Sequence, residues 1–129
     1  MDANELRLIG LVAAGGAIGT VARYGLTGLL TRGDFPWGTF AVNLSGTFFL
    51  AFLFFLFLGR GYLDPELRTF LFVGVFGGYT TLSTFGLETV HFLRSGQYWL
   101  AGVNVSLNGG LCLLGAVAGA TLGTMLGGG

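Results

Sequence analysis

Two adjacent glycines, Gly77 and Gly78, followed by the hydroxyl residues Thr80, Thr81, Ser83 and Thr84, interrupt an apolar run long enough to cross a membrane. No other stretch limits the possible folds as strongly. In hydrocarbon every backbone N–H and C=O must be satisfied within the protein. A glycine break with clustered hydroxyls is tolerable there only where protein buries it or water reaches it. Freed carbonyls and hydroxyls at mid-membrane are also the materials of ion sites. The segment from Gly74 to Phe85 therefore predicts a third helix broken mid-membrane, and it points to transport rather than to an inert scaffold.

The rest of the chain supplies the membrane. Four apolar runs occupy residues 6–31, 39–58, 67–93 and 98–126. Each reaches the roughly 20 residues that span a bilayer. Only 9% of the 129 residues are charged, against about 25% in a soluble domain. The expected fold is an all-α membrane protein, one domain over residues 1–129 with four transmembrane helices. The linkers are short, and Trp37, Tyr62, Tyr98 and Trp99 stand at run ends, where aromatic belts form. The N-terminal residues carry two acids and one base rather than a cationic signal region, so the first run is expected to stay in the mature protein.

Charge gives little instruction about orientation. Arg7, Arg60 and Arg68 would share one side, and Arg32 and Arg94 the other. Three against two is a weak positive-inside bias. It fits one weakly preferred orientation, or insertion both ways with pairing as an antiparallel, dual-topology homodimer. Glycines add a contact signal. Gly115, Gly119, Gly123 and Gly127 recur every four residues, Gly102, Ser106 and Gly110 follow the same spacing, and Gly15/Gly19 and Gly74/Gly78 repeat it. Such stripes mark close helix contacts, within one chain or between two.

Several functions are excluded. Formal net charge is zero, so there is no basic surface for nucleic acid. The single Cys112 cannot form an intrachain disulfide, and as a small buried hydrophobe it needs no further role. One His and scarce carboxylates give neither a metal cluster nor a catalytic triad, so the chain does not read as an enzyme. The glycines at 15–19 lie inside an apolar run and lack a lysine, which argues against a nucleotide loop.

Polar residues within the runs are the remaining candidates. Arg23 lies eight residues before position 31, about 12 Å along a helix. It either snorkels to the interface or forms a cationic mouth for an anion. Asn43, with Ser45, and Asn104, with Ser106 and Asn108, are hydrogen-bonding glue between helices or donors to a bare anion. Glu88 and His91, three apart, could pair or lie in a wet vestibule. Phe85 closes the hydroxyl stretch; it packs, or it offers an anion the positive edge of its ring.

Three segments together carry a resemblance. They are Gly15-Gly-Ala-Ile-Gly-Thr-Val-Ala-Arg-Tyr24, Trp37-Gly-Thr-Phe-Ala-Val-Asn-Leu-Ser-Gly46 and Gly74-Val-Phe-Gly-Gly-Tyr-Thr-Thr-Leu-Ser-Thr-Phe85. In order, spacing and chain length the sequence resembles the Fluc (CrcB) fluoride-channel family over its first three spans. The resemblance implies a passive, fluoride-selective channel that exports fluoride, built as an antiparallel homodimer with two pathways and a central structural sodium ion. It implies that the carbonyls of Gly77 and Thr80 hold the sodium. Asn43 matches the family's pore asparagine, Arg23 its first-helix arginine, and Ser83 and Thr84 its hydroxyls after the break. Phe85 matches the second pore phenylalanine and Glu88 an acidic residue just beyond. Thr81 and Asn108 complete the expected pore set. At Leu82 the chain departs from the family's first phenylalanine, so one ring edge is missing. Expected partners are fluoride, a second copy and membrane lipid, and the expected location is the cytoplasmic membrane of a prokaryote. A small dual-topology multidrug transporter is the alternative, but its first-span carboxylate is absent here; a non-transporting membrane assembly protein would leave the polar break without purpose.

Overall fold

A computed structural model describes residues 1–58, 60–61 and 63–128. Tyr62, one of the expected belt aromatics, lies outside the described residues. Among those residues the structure is all helical. Four helices are long and apolar enough to cross a membrane: Ala3–Leu30, Trp37–Phe57, Pro65–Arg94 and Tyr98–Gly127. They are called the first to fourth spans below.

Local chemistry sets their ends. Asp2 caps the first span, accepting the Glu5 N–H at 2.7 Å, while Glu5 returns a bond to the Asp2 N–H at 2.9 Å. Asp64 caps the third span, with Pro65 as its first helical residue. Gly33, Gly96 and Gly128 take φ values of 76°, 72° and 79° at the turns that end spans. One end of the bundle is tied by the Arg7–Glu66 ion pair at 2.7 Å. There, too, Arg60 donates to the Leu126 carbonyl at 2.7 Å, serving the end of the fourth span.

The glycine stripes pack within the chain. A Cβ on Gly119, Gly123 or Gly127 would run into the backbone carbonyls of Phe48, Phe52 and Leu56 on the second span. Gly15 and Gly19 meet the third span in the same way, at Phe70, Gly74, Val75 and Tyr79. The contacts left open by spacing alone are thus intrachain ones, second span on fourth and first span on third. The row at Gly102 and Gly110 meets nothing and lies on the outer face.

The glycine pair does not make the break. Gly77 is helical, with φ −63° and ψ −37°, and Gly78 is not among the glycines of positive φ. Gly78 is needed because a Cβ there would sit 2.6 Å from the Gly16 carbonyl. The chain leaves the helix at Thr80 (ψ 157°) and Thr81 (φ −149°, ψ 111°), in the middle of the 30-residue third span. A second helical segment, Leu82–Arg94, then begins under a Thr81 cap.

The interior is small. Buried apolar side chains are few, among them Val42, Phe92, Ala101 and Cys112, while Leu82 is 79% and Val73 60% exposed. An outward apolar surface of this kind suits lipid or a protein partner.

Candidate functional site: the hydrogen-bonded break

At the break the sequence creates a backbone problem and the second span resolves it. An unbroken helix would give the Thr81 N–H to the Gly77 carbonyl. Here it goes to Asn43 Oδ1 at 2.8 Å, and Asn43 Nδ2 donates back to the Thr81 carbonyl at 3.1 Å. This reciprocal pair replaces missing backbone bonds with a side-chain amide. The Thr84 N–H goes to Thr81 Oγ1 at 3.2 Å. The carbonyls of Gly77 and Thr80 are thereby released from their helical partners.

The Asn43 amide continues into a ladder. Its second N–H reaches Asn108 Oδ1 at 2.9 Å. Asn108 Nδ2 donates to Asn104 Oδ1 at 2.9 Å and to the Asn104 carbonyl at 3.2 Å. Asn104, fully buried, donates to Thr89 Oγ1 at 3.0 Å. Asn43 and Asn104 thus both act as hydrogen-bonding glue, and all of the donor capacity of Asn43 is engaged inside the chain.

Hydroxyls gather beside it. Thr81 Oγ1 donates to Thr84 Oγ1 at 2.9 Å and lies 3.3 Å from Ser83 Oγ. Thr80 Oγ1 turns back to the Phe76 carbonyl at 3.0 Å. Ser45 meets the Tyr79 hydroxyl at 2.9 Å. A groove of about 560 Å³ is lined by Arg23, Thr20, Thr39, Thr81 and Thr84. Arg23 is half-buried there, and among the described residues it joins no ion pair. The groove brings Arg23, Thr81 and Thr84 together; Asn43, Ser83, Phe85 and Asn108 lie outside its lining. Phe85 is half-buried one turn after the break, and Leu82, three residues before it, lies on the exposed outer face.

Glu88 does not pair with His91. Glu88 Oε1 accepts from Thr39 Oγ1 at 2.6 Å, while its Oε2 is buried without a partner. Glu88 and His91 line a separate cavity of about 420 Å³ with Asp34. Thr39 escaped the reading of the sequence, as did Thr89. The signal for Thr39 was its place four residues before Asn43, on the same helix face. Among the described residues no group of three or more His, Cys, Asp or Glu lies together.

The chain is similar to known proteins over most of its length. The profile of the family described as "CrcB-like protein, Camphor Resistance (CrcB)" matches residues 10–120. A protein of Magnetococcus marinus named fluoride-specific ion channel FluC is 43% identical over 121 residues, 92% of this chain and 98% of that one. A FluC of Sulfurihydrogenibium sp. is 44% identical over 120 residues, 90% and 96% of the two chains. FluC 1 of Symbiobacterium thermophilum is 44% identical over 118 residues, 88% and 94%. These relatives bear the names of ion channels, not of enzymes. With four membrane-crossing helices and a match over most of its length, this chain is an integral membrane protein and belongs to the CrcB family.

Proposed function

We propose that the protein is a fluoride channel that lets the ion leave the cell passively, through two pathways in an antiparallel, dual-topology homodimer. The carrying observation is the amide-capped break at Thr80 and Thr81 on the middle of the third span. Fluoride is small and holds its water tightly. A path for it must offer N–H and O–H donors in place of that water, and several weak sites rather than one deep one. The amide of Asn43 and the hydroxyls of Thr81, Ser83 and Thr84 are such donors. Among the described residues Asn108 Oδ1 is the only partner of the second Asn43 N–H, so that bond is the one an arriving anion can take over without unpairing the backbone. Arg23 in the polar groove attracts the anion, and the Phe85 ring edge adds a weak positive contact. The relatives named fluoride-specific ion channels support fluoride as the ion.

Pairing follows from the surface. Ser83 is exposed at mid-span, beside Leu82. Among the described residues Ser83 has only the long contact to Thr81 Oγ1 at 3.3 Å, and a polar side chain at mid-span suits a protein neighbour better than lipid, so a second copy covers this face. The three-to-two arginine balance permits that copy to be inverted. The released Gly77 and Thr80 carbonyls of both copies would then face one axis. They are hard oxygen donors, the chemistry that unwound membrane helices present to sodium. A sodium ion held there would supply fixed positive charge that raises anion affinity nearby. The host membrane is the cytoplasmic membrane of a prokaryote, with lipid around the dimer.

The test is fluoride release from liposomes containing the purified protein, followed with a fluoride electrode after a potassium ionophore is added. Fluoride should leave only once charge is compensated, and chloride should remain. Equal release of both ions would contradict the proposal, as would proton-coupled exchange of a cationic drug. Labelling a cysteine placed in the second loop, on a Cys112→Ser background, tests pairing. Reaction from both membrane faces is expected; reaction from one face only would exclude dual insertion.

A further inference from the structure

Thr89 and Asn104 do not border the polar groove, yet the hydrogen bonds give them control over Asn43. The Thr89 hydroxyl donates its only proton to the Phe85 carbonyl at 2.8 Å. Its oxygen can therefore only accept from the Asn104 amide. That forces Asn104 Nδ2 toward Thr89 and Asn104 Oδ1 toward Asn108. Asn108 must then present Nδ2 to Asn104 and Oδ1 to Asn43. Every bond in the ladder runs the same way, from the Thr81 N–H to the Phe85 carbonyl. Aligned bonds of this kind polarise one another.

We infer that Thr89 and Asn104 are positioning residues that set the direction of the amide ladder, and so hold Asn108 Oδ1 against the second N–H of Asn43. Neither forms a hydrogen bond with Asn43 itself; they act through Asn108. Without the Thr89 oxygen, Asn104 Nδ2 keeps only the Phe85 carbonyl, 3.5 Å away, a much weaker acceptor to fix which way its amide faces. Asn108 can then flip, presenting an N–H to Asn43 where a carbonyl oxygen stood. The Asn43 N–H would lose its partner and its fixed orientation, although its bonds to Thr81 remain. The flux consequence rests on the fluoride reading above; the ladder itself does not.

Thr89→Val tests this, because it keeps shape and removes only the hydroxyl. Thr89→Ser keeps the hydroxyl and serves as the conservative control. Fluoride efflux per folded dimer should fall by about tenfold in T89V, the size expected for one well-placed interhelical hydrogen bond. T89S should stay within about twofold of wild type, the remainder being lost packing. Asn104→Ser, which falls short of both neighbours, should match T89V. The double variant should be no worse than either single, since both break one ladder. Costs that add would show that the two residues act separately and would overturn the inference. A wild-type rate in folded T89V would overturn it too. A second readout is independent of transport: the side-chain amide resonances of Asn43 in ¹⁵N-labelled protein in micelles. They should shift in T89V and not in T89S. If wild type releases no fluoride but this pattern holds, the transport reading fails and the ladder stands. Unchanged Asn43 resonances in T89V would overturn the ladder whatever the flux.

Discussion

The two halves of the third span are held by opposite means. Residues 65–79 lie against the first span chiefly through glycine, with Gly15 and Gly19 facing Gly74, Val75 and Tyr79, and their polar ties, Arg7–Glu66 and Ser45–Tyr79, sit at the two ends of the segment. Residues 81–94 are anchored by polar bonds: Asn43 to Thr81, Thr39 to Glu88, and Asn104 to Thr89. Lipid gives helices no hydrophobic reason to associate. The first half is therefore fixed by how closely backbones approach, which tolerates no added atom. The second is fixed by which donor meets which acceptor, which tolerates changes of shape but not of bonding. The break sits where one regime gives way to the other. A site that must replace an anion's water belongs on the second side of that line.

The comparison breaks most easily at glycine. Gly19→Ala places a methyl group against the Val75 carbonyl and the Tyr79 N–H, so the first span must move away. A loss of about 3 kcal/mol is expected, at the upper end for overpacking. It would be read as a lower aggregation temperature by size-exclusion chromatography. Gly10→Ala and Gly25→Ala, where a methyl meets nothing, should leave that temperature unchanged.

On the polar side, Asn43→Leu keeps bulk but strands the Thr81 N–H and carbonyl at mid-span. It should cost about 2 kcal/mol of stability, and in the protein that still folds, losing a similar amount of barrier stabilisation would slow fluoride release about 30-fold. A well-folded Asn43→Leu protein at the wild-type rate would show that the break is capped some other way.

The outer face sharpens the contrast. Phe85→Ile removes a ring edge while keeping an apolar side chain, and efflux should fall by about tenfold, about 1.4 kcal/mol. Leu82→Phe places a ring edge on the face proposed to meet the second copy, so it should leave efflux intact or raise it. A folded but silent Leu82→Phe protein would mean that this face is lined differently from its relatives'. The smallest effect belongs to Thr80→Ser. Its carbonyl is the proposed sodium contact and its hydroxyl only turns back to Phe76, so efflux should stay within about twofold.

These contrasts explain what the sequence could and could not disclose. Four spans are legible because apolar length has one meaning in a chain with so little charge. The residues of the break are legible as a set, but its position is not. Glycine in a membrane helix serves either an unusual dihedral or a close neighbour, and Gly77 and Gly78 look alike in both cases. Only the Gly16 carbonyl beside Gly78 shows which applies. Asn43 carried two open roles for the same reason: its partner Thr81 is 38 residues away. Thr39 and Thr89 went unread because a threonine on a helix usually bonds only to its own backbone. Their importance comes from Glu88 and Asn104, which lie on other spans.

The central claim is that donors around the break carry fluoride and reject other anions. Reversal potential across a planar bilayer tests it most directly, with a tenfold fluoride gradient and equal chloride on both sides. Reversal is expected near the fluoride equilibrium value, about 59 mV in magnitude, unmoved when chloride is raised on one side. A reversal potential near zero, or one that follows chloride, would contradict it.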